Sequence, residues 1–347
     1  MQQFEWAVVG AGPAGISTVG TLLDQGVDGS AIVWIDPSFS VGDFGTLWRN
    51  VPSNTRVIDF YQMFEACRSF EFEGRASGFA IEGLPKDGWC DLRYVAEPLE
   101  AVTATLRSRV ESLEGYAIRC DSSPPGWVLH LRDGRSVPAR NVVLAVGARA
   151  RTLDLPGIEA IPLDVAMDRE RLPATCTAGD TVAVFGSSHS AILAMMILVE
   201  NCRVARIVNF YRSPLRFAVQ FADKRWANYD TGLKGKVAAW AHQHLSGKDL
   251  PPNLERQHVN GAMPAERLGD CTKAIAAIGF EPRSEPVVTG LTKLEHDPNT
   301  GIIAPGLFGC GFAFPETATD EFGAPVQRVG LIRFARYLAR VVPLWMA

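Results

Sequence analysis

A glycine-rich strand-to-helix pattern begins almost at the first residue of this 347-residue chain. The apolar run 6–9 is followed by Gly10, Gly12 and Gly15, in the spacing G-x-G-x-x-G. In this spacing the first glycine permits a tight turn, the second lets the backbone approach a pyrophosphate, and the third lets the next helix pack on the strand. We therefore expect the chain to open with a βαβ unit, which is typical of the α/β class.

The residues after this turn support a dinucleotide site. Pro13 and Ala14 begin a helix whose free N–H groups can bind phosphate. A second apolar strand ends at Asp36, 21 residues after Gly15, where a carboxylate can accept hydrogen bonds from an adenosine ribose. The alternative interpretation is a tight strand-to-helix turn that holds no ligand.

A second, altered copy of the pattern follows the apolar strand 181–185. It consists of Gly186, Ser187, Ser188, His189, Ser190 and Ala191. Ser188 and Ala191 stand at the second and third glycine positions. The next strand ends at Arg212 with no acidic residue, and an arginine there suits a 2′-phosphate, which favours NADPH over NADH. Two alternatives stay open: Arg212 and Arg216 are solvated charges, or Ser188 crowds the pyrophosphate and the site is vestigial.

With these two patterns the chain resembles the two-dinucleotide flavoproteins of the pyridine-nucleotide-disulfide-oxidoreductase superfamily. Other segments that resemble this superfamily are the hairpin 127–135 with its turn at Asp133-Gly134, the apolar strand 141–148 with Ala145 and Gly147, the crossover 155–157 and the returning strand 274–280. The resemblance implies that FAD binds at the first site and NAD(P)H at the second.

The resemblance also implies the domain plan, which is an α/β fold of two interleaved Rossmann-like, three-layer domains. The FAD-binding domain is expected at 1–151 and 283–347, with the NAD(P)H-binding domain inserted at 155–281. The linkers are expected at Leu155-Pro156-Gly157 and at Glu281-Pro282.

Two aromatic-rich regions, 48–92 and 214–260, lie outside this plan and show little strand pattern. They either wall a substrate pocket over the flavin or pack as ordinary long loops. In the second region, Ala238, Trp240 and Leu245 fall on one face of a short helix, which is a candidate lid or homodimer contact.

Two departures narrow the family. The seven cysteines include no C-x-x-C pair, so a dithiol mechanism beside the flavin is not expected, and they are best interpreted as small apolar packing residues. Gly311 is followed by Phe312, where many members of the superfamily carry an aspartate near the ribityl chain.

The remaining resemblance is to flavin-containing monooxygenases. The stretch 45–49 is similar to their Gly-Thr-Trp segment with one residue inserted, and 186–191 is similar to their Gly-Ser-Gly-x-Ser-Ala turn. Their F-x-G-x-x-x-H signature is absent, because the corresponding stretch 161–166 contains no histidine.

The resemblance implies several contacts with the cofactors. Trp48, Asn54 and Thr55 lie where the similar proteins approach the flavin ring, and Gly311 lies near the ribityl chain. A helix that begins near Gln327 is expected to point its positive N-terminus at the N1–C2=O edge of the flavin. His189 either contacts the nicotinamide or substrate, or is an ordinary residue at the start of a helix.

The implied function is an FAD-dependent, NADPH-consuming oxidoreductase, and specifically a single-component monooxygenase. Reduced flavin would bind O2 at C4a, and the resulting hydroperoxide would transfer one oxygen atom to a small-molecule substrate. No catalytic side chain is assigned, because the flavin carries the chemistry. The alternatives are an NAD(P)H-dependent flavin reductase or oxidase without oxygen insertion, and a flavin-binding sensor or assembly protein with a vestigial nucleotide site.

Composition limits the partners and the location. The net charge of −4 without a basic block argues against nucleic-acid binding. The longest apolar stretch, 191–199, is too short to span a bilayer. With no signal peptide before the first strand, we expect a cytoplasmic protein. No metal is expected, since His242 and His244 are two residues apart and do not share a helix face.

Overall fold

The computed structural model describes residues 3–72, 78–223, 225–247, 249–261 and 268–347. Within them the chain forms two large sheets, and strands and helices are numbered here in chain order. Both sheets are built around parallel strands with helices packed against them. The predicted α/β class with two Rossmann-like units is therefore confirmed.

The first sheet is centred on strand β1, which pairs in parallel with β2 on one side and β8 on the other. Its strands are β1 (Phe4–Val9), β2 (Ile32–Asp36), β5 (Glu111–Glu114), β6 (Ala117–Ser123), β7 (Gly126–Leu131), β8 (Ser136–Leu144), β18 (Val287–Val288), β19 (Ile302–Ala304) and β20 (Leu307–Gly309). The predicted turn at Asp133-Gly134 joins β7 to β8. Of the predicted apolar strand 141–148, residues 141–144 form the carboxyl-terminal part of β8, which ends at Leu144, and Ala148 begins the next strand.

Helices cover one face of the first sheet. They and their flanking strands are α1 (Pro13–Asp24), α2 (Gly42–Thr46), β3 (Pro52–Arg56), α3 (Val57–Glu65), β4 (Trp89–Asp91), α4 (Arg93–Arg107) and α9 (Leu331–Met346). Trp6 and Val8 of β1 face these helices, whereas Ala7 and Val9 point to the opposite face and pack with β6, β7 and Phe314. The period-two alternation therefore places both faces of β1 in a core, as expected for a central parallel strand.

The second sheet is parallel throughout the described residues. Its strands, in spatial order, are β10 (Glu159–Ile161), β16 (Lys273–Ala276), β11 (Thr181–Phe185), β12 (Arg206–Tyr211) and β15 (Leu254–His258). Its helices are α5 (Leu163–Ala166), α6 (Arg171–Thr175), α7 (His189–Asn201) and α8 (Gly235–Leu245). Residues 191–198 of α7 are all buried, because α7 lies between the sheet and α8. No helix among the described residues is long and apolar enough to cross a membrane.

The aromatic-rich insertion is shorter than the predicted 214–260. Residues 254–258 form β15, which pairs with β12 from Ile207 opposite Leu254 to Tyr211 opposite His258. The rest of the segment contains the short hairpin of β13 (Val219–Gln220) and β14 (Trp226–Ala227), followed by α8. The prediction missed β15 because an edge strand of mixed polarity carries little apolar pattern.

The chain passes between the two sheets at two neighbouring strands. These are β9 (Ala148–Ala150) and β17 (Phe280–Pro282), which pair in an antiparallel arrangement. The first crossing therefore lies before the predicted linker Leu155-Pro156-Gly157. Leu155 instead packs on the outer face of the second sheet with Phe185 and Phe210.

The last helix begins later than predicted. Residues around Gln327 form strand β22 (Pro325–Arg328), which pairs in a hairpin with β21 (Glu316–Thr319). Gln327 lies opposite Thr317 and is exposed, so it does not start a helix. Helix α9 begins at Leu331, after Gly330 adopts a positive φ of 133° that ends the extended segment.

Candidate functional site

The first glycine turn is shaped by close contact between backbones. Gly10 has φ +106°, and a Cβ there would lie 2.4 Å from the carbonyl oxygen of Ala145. A Cβ on Gly15 would lie 1.9 Å from the carbonyl oxygen of Gly10. Neither position can accept a side chain without movement of the backbone. Gly12 differs, because the nearest atom to a Cβ there is 3.9 Å away, so the space beside it is open.

The N-terminus of α1 is suited to an anion. Pro13 occupies its first turn, no side chain caps it, and its first turn contains no acidic residue. Its backbone N–H groups and the positive end of the helix dipole therefore face this edge uncompensated. Gly311, with φ +87°, packs against the same turn, because a Cβ there would lie 2.8 Å from Cβ of Ala14. A Cβ on Gly147 would meet no atom within 4 Å.

Asp36 closes the turn around the end of β2. Its Oδ2 accepts a hydrogen bond from the backbone N–H of Ala11 at 2.7 Å. Its Oδ1 accepts from the N–H groups of Ser38 at 2.9 Å and Phe39 at 2.7 Å. Oδ2 accepts only one of these hydrogen bonds and retains a lone pair, so the predicted hydrogen bond to a ribose is chemically compatible with these contacts.

The loop between β2 and α2 is held in an unfavourable backbone conformation. Phe39, Val41 and Gly42 have φ values of +53°, +60° and +57°. A positive φ is costly for a β-branched residue such as Val41. A Cβ on Gly42 would lie 3.0 Å from Cα of Gly12, so this strained loop touches the fingerprint. Strain of this kind tends to concentrate at ligand sites.

The predicted flavin-ring contacts follow that loop. Trp48 packs edge-to-face on Phe280 of the second crossing strand, with ring centroids 6.1 Å apart. Asn54 and Thr55 lie on β3, where Oγ1 of Thr55 donates to Oδ1 of Asn54 at 3.2 Å. Asn54 is exposed and Thr55 is half-buried. The structure therefore places Trp48 between the two sheets and the other two residues on an accessible strand.

These residues fit a flavin dinucleotide. The open spaces at Gly12 and Gly147 and the uncapped α1 N-terminus lie where β1 and β8 end. In parallel α/β sheets, ligands bind at the carboxyl ends of the strands. The strands β2 and β20 end at the same edge, the latter two residues before Gly311.

The second turn repeats the backbone contact of the first. Gly186 has φ +125°, and a Cβ there would lie 2.3 Å from the carbonyl oxygen of Ala277. Ser188 is exposed and precedes α7 with an ordinary extended backbone, φ −92° and ψ −175°, so serine is unstrained there. No side chain caps α7, and its first turn contains no acidic residue. Ser187 and Ser190 are half-buried on either side.

His189, the first residue of α7, lacks partners for both ring nitrogens. Nδ1 and Nε2 are shielded from solvent and have no hydrogen-bond partner among the described residues. Burial, with a further contribution from the charge of Lys234, lowers the pKa of His189 to about 4. The imidazole is therefore neutral near pH 7. Buried polar atoms are normally paired, so this ring is compatible with a ligand that supplies the missing partner.

A half-buried arginine near the second turn, Arg256, was missed by the sequence analysis. Asn209 is fully buried and donates to the carbonyl oxygens of Val184 at 3.0 Å and Gly186 at 2.8 Å. Its Oδ1 accepts from Nε of Arg256 at 3.0 Å. The Arg256 guanidinium lies 4.3 Å from the ring centroid of Tyr211, and its Nη2 is shielded without a hydrogen-bond partner among the described residues.

Arg212 lies at the end of β12, next to Tyr211. It is exposed, and within the described ranges its guanidinium forms no ion pair or hydrogen bond. Its carbonyl oxygen accepts a hydrogen bond from Nε2 of His258 at 3.1 Å. Arg212 and Arg256 thus give this end of the sheet two cations, of which Arg256 lies over the ring of Tyr211. No pattern in the sequence indicated Arg256, because its contacts with Asn209 and Tyr211 depend on the pairing of β15 with β12, which was not predicted.

A cavity of about 360 Å³ opens between the two aromatic-rich regions. Arg56 and Asp59 of the first region face Trp226 and Tyr229 of the second across this cavity. The β21–β22 hairpin and the first turn of α9 complete the wall. Within these regions, 73–77, 224 and 248 lie outside the described residues. This placement favours the predicted substrate-pocket alternative over ordinary loop packing.

Two of the cysteines meet in the structure, although they are far apart in the chain. The side chains of Cys176 and Cys202 interact at the carboxyl ends of α6 and α7. Helix α7 has 13 residues, so this pair lies about 20 Å from the start of the helix at 1.5 Å per residue. The pair is therefore distant from the nucleotide end of the helix.

Comparisons with known sequences agree with this geometry. The family described as pyridine nucleotide-disulphide oxidoreductase matches residues 4–229. Monooxygenase AgnR1 of Paecilomyces divaricatus is 31% identical over 383 residues, which cover 98% of this chain and 97% of that protein.

Solved structures show the same fold. The ornithine N-hydroxylase of Kutzneria sp. 744 matches with a TM-score of 0.69 at 13% identity, over 99% of both chains. The flavin-containing monooxygenase of Stenotrophomonas maltophilia matches with a TM-score of 0.66 at 17% identity, over 100% of this chain and 99% of that one. Together with the family match, they confirm the predicted resemblance to two-dinucleotide flavoproteins.

The different surroundings of Gly12 and Gly15 predict different effects of the same substitution. Gly12→Ala places a methyl group in open space, so the melting temperature should change little while FAD binding weakens. Gly15→Ala drives a methyl group into a carbonyl oxygen, so we expect a loss of stability of about 1–3 kcal/mol. Flavin content after purification and thermal unfolding of the apoprotein measure the two effects. A Gly12→Ala protein that binds FAD like wild type would contradict this assignment.

Proposed function

Since the chain belongs to the pyridine nucleotide-disulphide oxidoreductase family, we propose that this flavoprotein oxidoreductase is a single-component, NADPH-consuming monooxygenase. The observation that carries the proposal is the pair of glycine turns, Gly10 with Ala145 and Gly186 with Ala277. Each turn lies at the carboxyl edge of its own sheet and precedes an uncapped helix. One chain thus provides two dinucleotide cradles.

The first cradle holds FAD in this proposal. The residues assigned to it are Gly10, Gly12, Pro13, Ala14, Gly15, Asp36, Ala145, Gly147 and Gly311. When bound, FAD supplies the redox chemistry, which is acceptance of hydride from a nicotinamide and reaction with O2. Trp48, Asn54 and Thr55 stay proposed ring contacts.

The N-terminus of α9 stabilises negative charge on the reduced cofactor in this proposal. The helix has 16 residues, begins at Leu331 without a capping side chain, and carries no acid in its first turn. Its positive end is therefore available to an anion. This role moves from the predicted position at Gln327 to the segment after Gly330.

The second cradle holds NADPH in this proposal. The residues assigned to the pyrophosphate and nicotinamide side are Gly186, Ser187, Ser188, His189 and Ser190. Arg212 binds the 2′-phosphate, and Arg256 supports the same end from its place over Tyr211. The Kutzneria ornithine N-hydroxylase, which has the same fold, was solved with reduced FAD, NADP+ and L-ornithine.

The cysteine placement and the relative at 31% identity favour oxygen insertion over disulfide reduction. That relative is a monooxygenase, and the cysteine pair of this chain lies at the far end of α7. The partners in this proposal are O2 and a small molecule, with neither nucleic acid nor membrane. A cytoplasmic location and a homodimeric assembly stay parts of the proposal.

Oxygen insertion is tested with oxygen-18. The holoenzyme is supplied with NADPH, labelled O2 and a panel of small organic molecules, and products are analysed by mass spectrometry. A product that carries one labelled atom, formed only with NADPH, is the expected result. NADPH consumption that yields only hydrogen peroxide or reduced free flavin across the panel would indicate the reductase or oxidase instead. An enzyme that does not oxidise NADPH would indicate the sensor with a vestigial site.

Arg212 and Arg256 are expected to make the protein prefer NADPH over NADH. Arg212→Ala removes an exposed charge, and Arg256→Met removes a guanidinium while retaining much of its bulk. We expect each change to weaken binding of 2′,5′-ADP about tenfold or more, with little effect on 5′-AMP, because each charge-assisted hydrogen bond contributes roughly 1.5–3 kcal/mol. Isothermal titration calorimetry measures both ligands. Arg203→Ala, an exposed cation at the opposite end of the sheet, is the control. Equal losses for both ligands would contradict the assignment.

A further inference from the structure

The cavity beside α3 is assembled from segments that belong to different parts of the chain. Arg56 and Asp59 come from the end of β3 and the first turn of α3, and residues 226–231 come from the insertion. The hydroxyl of Tyr229 donates to Oδ2 of Asp59 at 2.6 Å and ties these two walls together. A hydrogen bond of this kind between distant segments is typical of a preformed binding site.

Among the described residues, the lining of this cavity is densely charged, with three guanidinium groups and four carboxylates. Asp230 is shared by two arginines, with Oδ1 3.1 Å from Nη2 of Arg333 and Oδ2 3.9 Å from Nε of Arg328. Asp59 is shared by Arg56, at 3.6 Å, and by the hydroxyl of Tyr229. Arg56, Arg328 and Arg333 therefore share two of these carboxylates, those of Asp59 and Asp230.

The other two carboxylates of the lining accept hydrogen bonds from neighbouring backbone N–H groups. Oδ1 of Asp320 accepts hydrogen bonds from the N–H groups of Phe322 at 2.9 Å and Ala324 at 2.8 Å within its own turn. The Glu321 carboxylate accepts from the N–H of Asn228. Asp320 is half-buried and Glu321 is exposed, and both carboxylates already accept hydrogen bonds from backbone N–H groups.

The neighbouring lysine responds to burial next to these cations. Lys234 donates from Nζ to the carbonyl oxygen of Tyr229 at 2.7 Å, directly behind the cavity wall. Burial lowers the pKa of Lys234 to about 8, Asp230 and Asp59 oppose this shift, and Arg333 and Arg56 add to it. Lys234 therefore retains part of its charge near pH 7 and adds to the positive side of the balance.

In two arginines of the wall, the Nε atom has no hydrogen-bond acceptor among the described residues. Nε of Arg56 and Nε of Arg328 are shielded from solvent and have no hydrogen-bond partner among the described residues. The carboxylate oxygens paired with them stand 3.6 and 3.9 Å away, beyond hydrogen-bond distance. A guanidinium matches the planar, two-oxygen geometry of a carboxylate.

Two aromatic rings form part of the remaining wall, beside the polar residues Asn228, Thr231 and Thr319. The rings of Trp226 and Tyr229 pack edge-to-face with centroids 5.3 Å apart, and Val326 lies on the opposite hairpin. The volume of about 360 Å³ is at the small end of the range for ligand pockets, roughly 300–1,000 Å³. The cavity therefore suits a small molecule with a ring and an anionic group.

The cavity adjoins both segments that we assign to the flavin. Arg56 directly follows Asn54 and Thr55 on β3, and Arg333 lies in the first turn of α9. An occupant anchored on these arginines lies next to the backbone that leads to the flavin ring.

We propose that this cavity binds the carboxylate of a small aromatic acid, and that this acid is the substrate. Arg56 and Arg328 donate to the carboxylate, and Trp226 and Tyr229 pack against the ring. The inference rests on the proposed function. One oxygen atom of O2 enters the acid and the other leaves as water, while NADPH and one proton supply the two electrons and both hydrogen atoms of that water.

The test compares benzoate with its neutral analogue benzamide. The holoenzyme is titrated with each, and binding is followed by calorimetry and by the perturbation of the flavin spectrum. We expect benzoate to bind about tenfold or more tightly than benzamide, because only the anion forms charge-assisted hydrogen bonds with the arginines. Arg328→Met should remove this preference. Arg340→Met is the matched control, since Arg340 lies on α9 outside the cavity and pairs with Glu316 of β21.

A second variant is expected to increase the affinity for benzoate instead of decreasing it. Asp230→Asn removes the carboxylate that competes for Arg328 and Arg333, so it should tighten benzoate binding. This result cannot arise from misfolding. Equal binding of benzoate and benzamide, no binding of either, or an unchanged preference in Arg328→Met would overturn the proposal.

The two proposals fail separately. Reduction of the flavin by NADPH is measured in the same preparations without any acid. If benzoate binds as expected and NADPH does not reduce the flavin, the acid site stands and the proposed function fails. If NADPH reduces the flavin and benzoate does not bind, the function stands and the substrate class is wrong.

Discussion

Two backbone contacts determine the arrangement of this molecule. The carbonyl oxygen of Ala145 occupies the space that a side chain at Gly10 would need, and Ala277 does the same at Gly186. Each contact brings the end of a third strand against a strand-to-helix turn, so each sheet gains an edge where N–H groups point outward. The uncapped helices α1 and α7 begin at these two edges. Both proposed cofactor sites therefore depend on the same steric device.

Contacts near the two crossing strands connect the first sheet to the second. The crossing strands β9 and β17 pair side by side, Trp48 packs on Phe280, and Nη2 of Arg283 donates to Oδ2 of Asp43 at 2.5 Å. These contacts lie next to the loop that touches Gly12, so they connect the proposed FAD site to residues 280–283 later in the chain. The charged cavity belongs to the same junction, because its walls come from both aromatic-rich regions.

The sequence predicts what depends on neighbours in the chain and misses what depends on pairing between distant segments. Both glycine turns, the strand before each, and the hairpin at Asp133-Gly134 follow from local pattern and turn chemistry. Strand β15 does not, because LERQH has no clear alternation and is defined by its pairing with β12. Arg256 was missed for that reason. The start of α9 was misplaced because the segment at Gln327 pairs with β21. A pocket between the two aromatic-rich regions was one predicted alternative, but its charged lining was not predicted, because three distant segments form it.

The most direct test of this account is anaerobic mixing of the holoenzyme with NADPH while the flavin absorbance is followed. Rapid bleaching, faster with NADPH than with NADH, is the expected result, because it requires both cradles to be occupied and their reactive ends to meet. A protein that retains oxidised FAD in the presence of excess NADPH would contradict the central claim that the two turns serve one electron path.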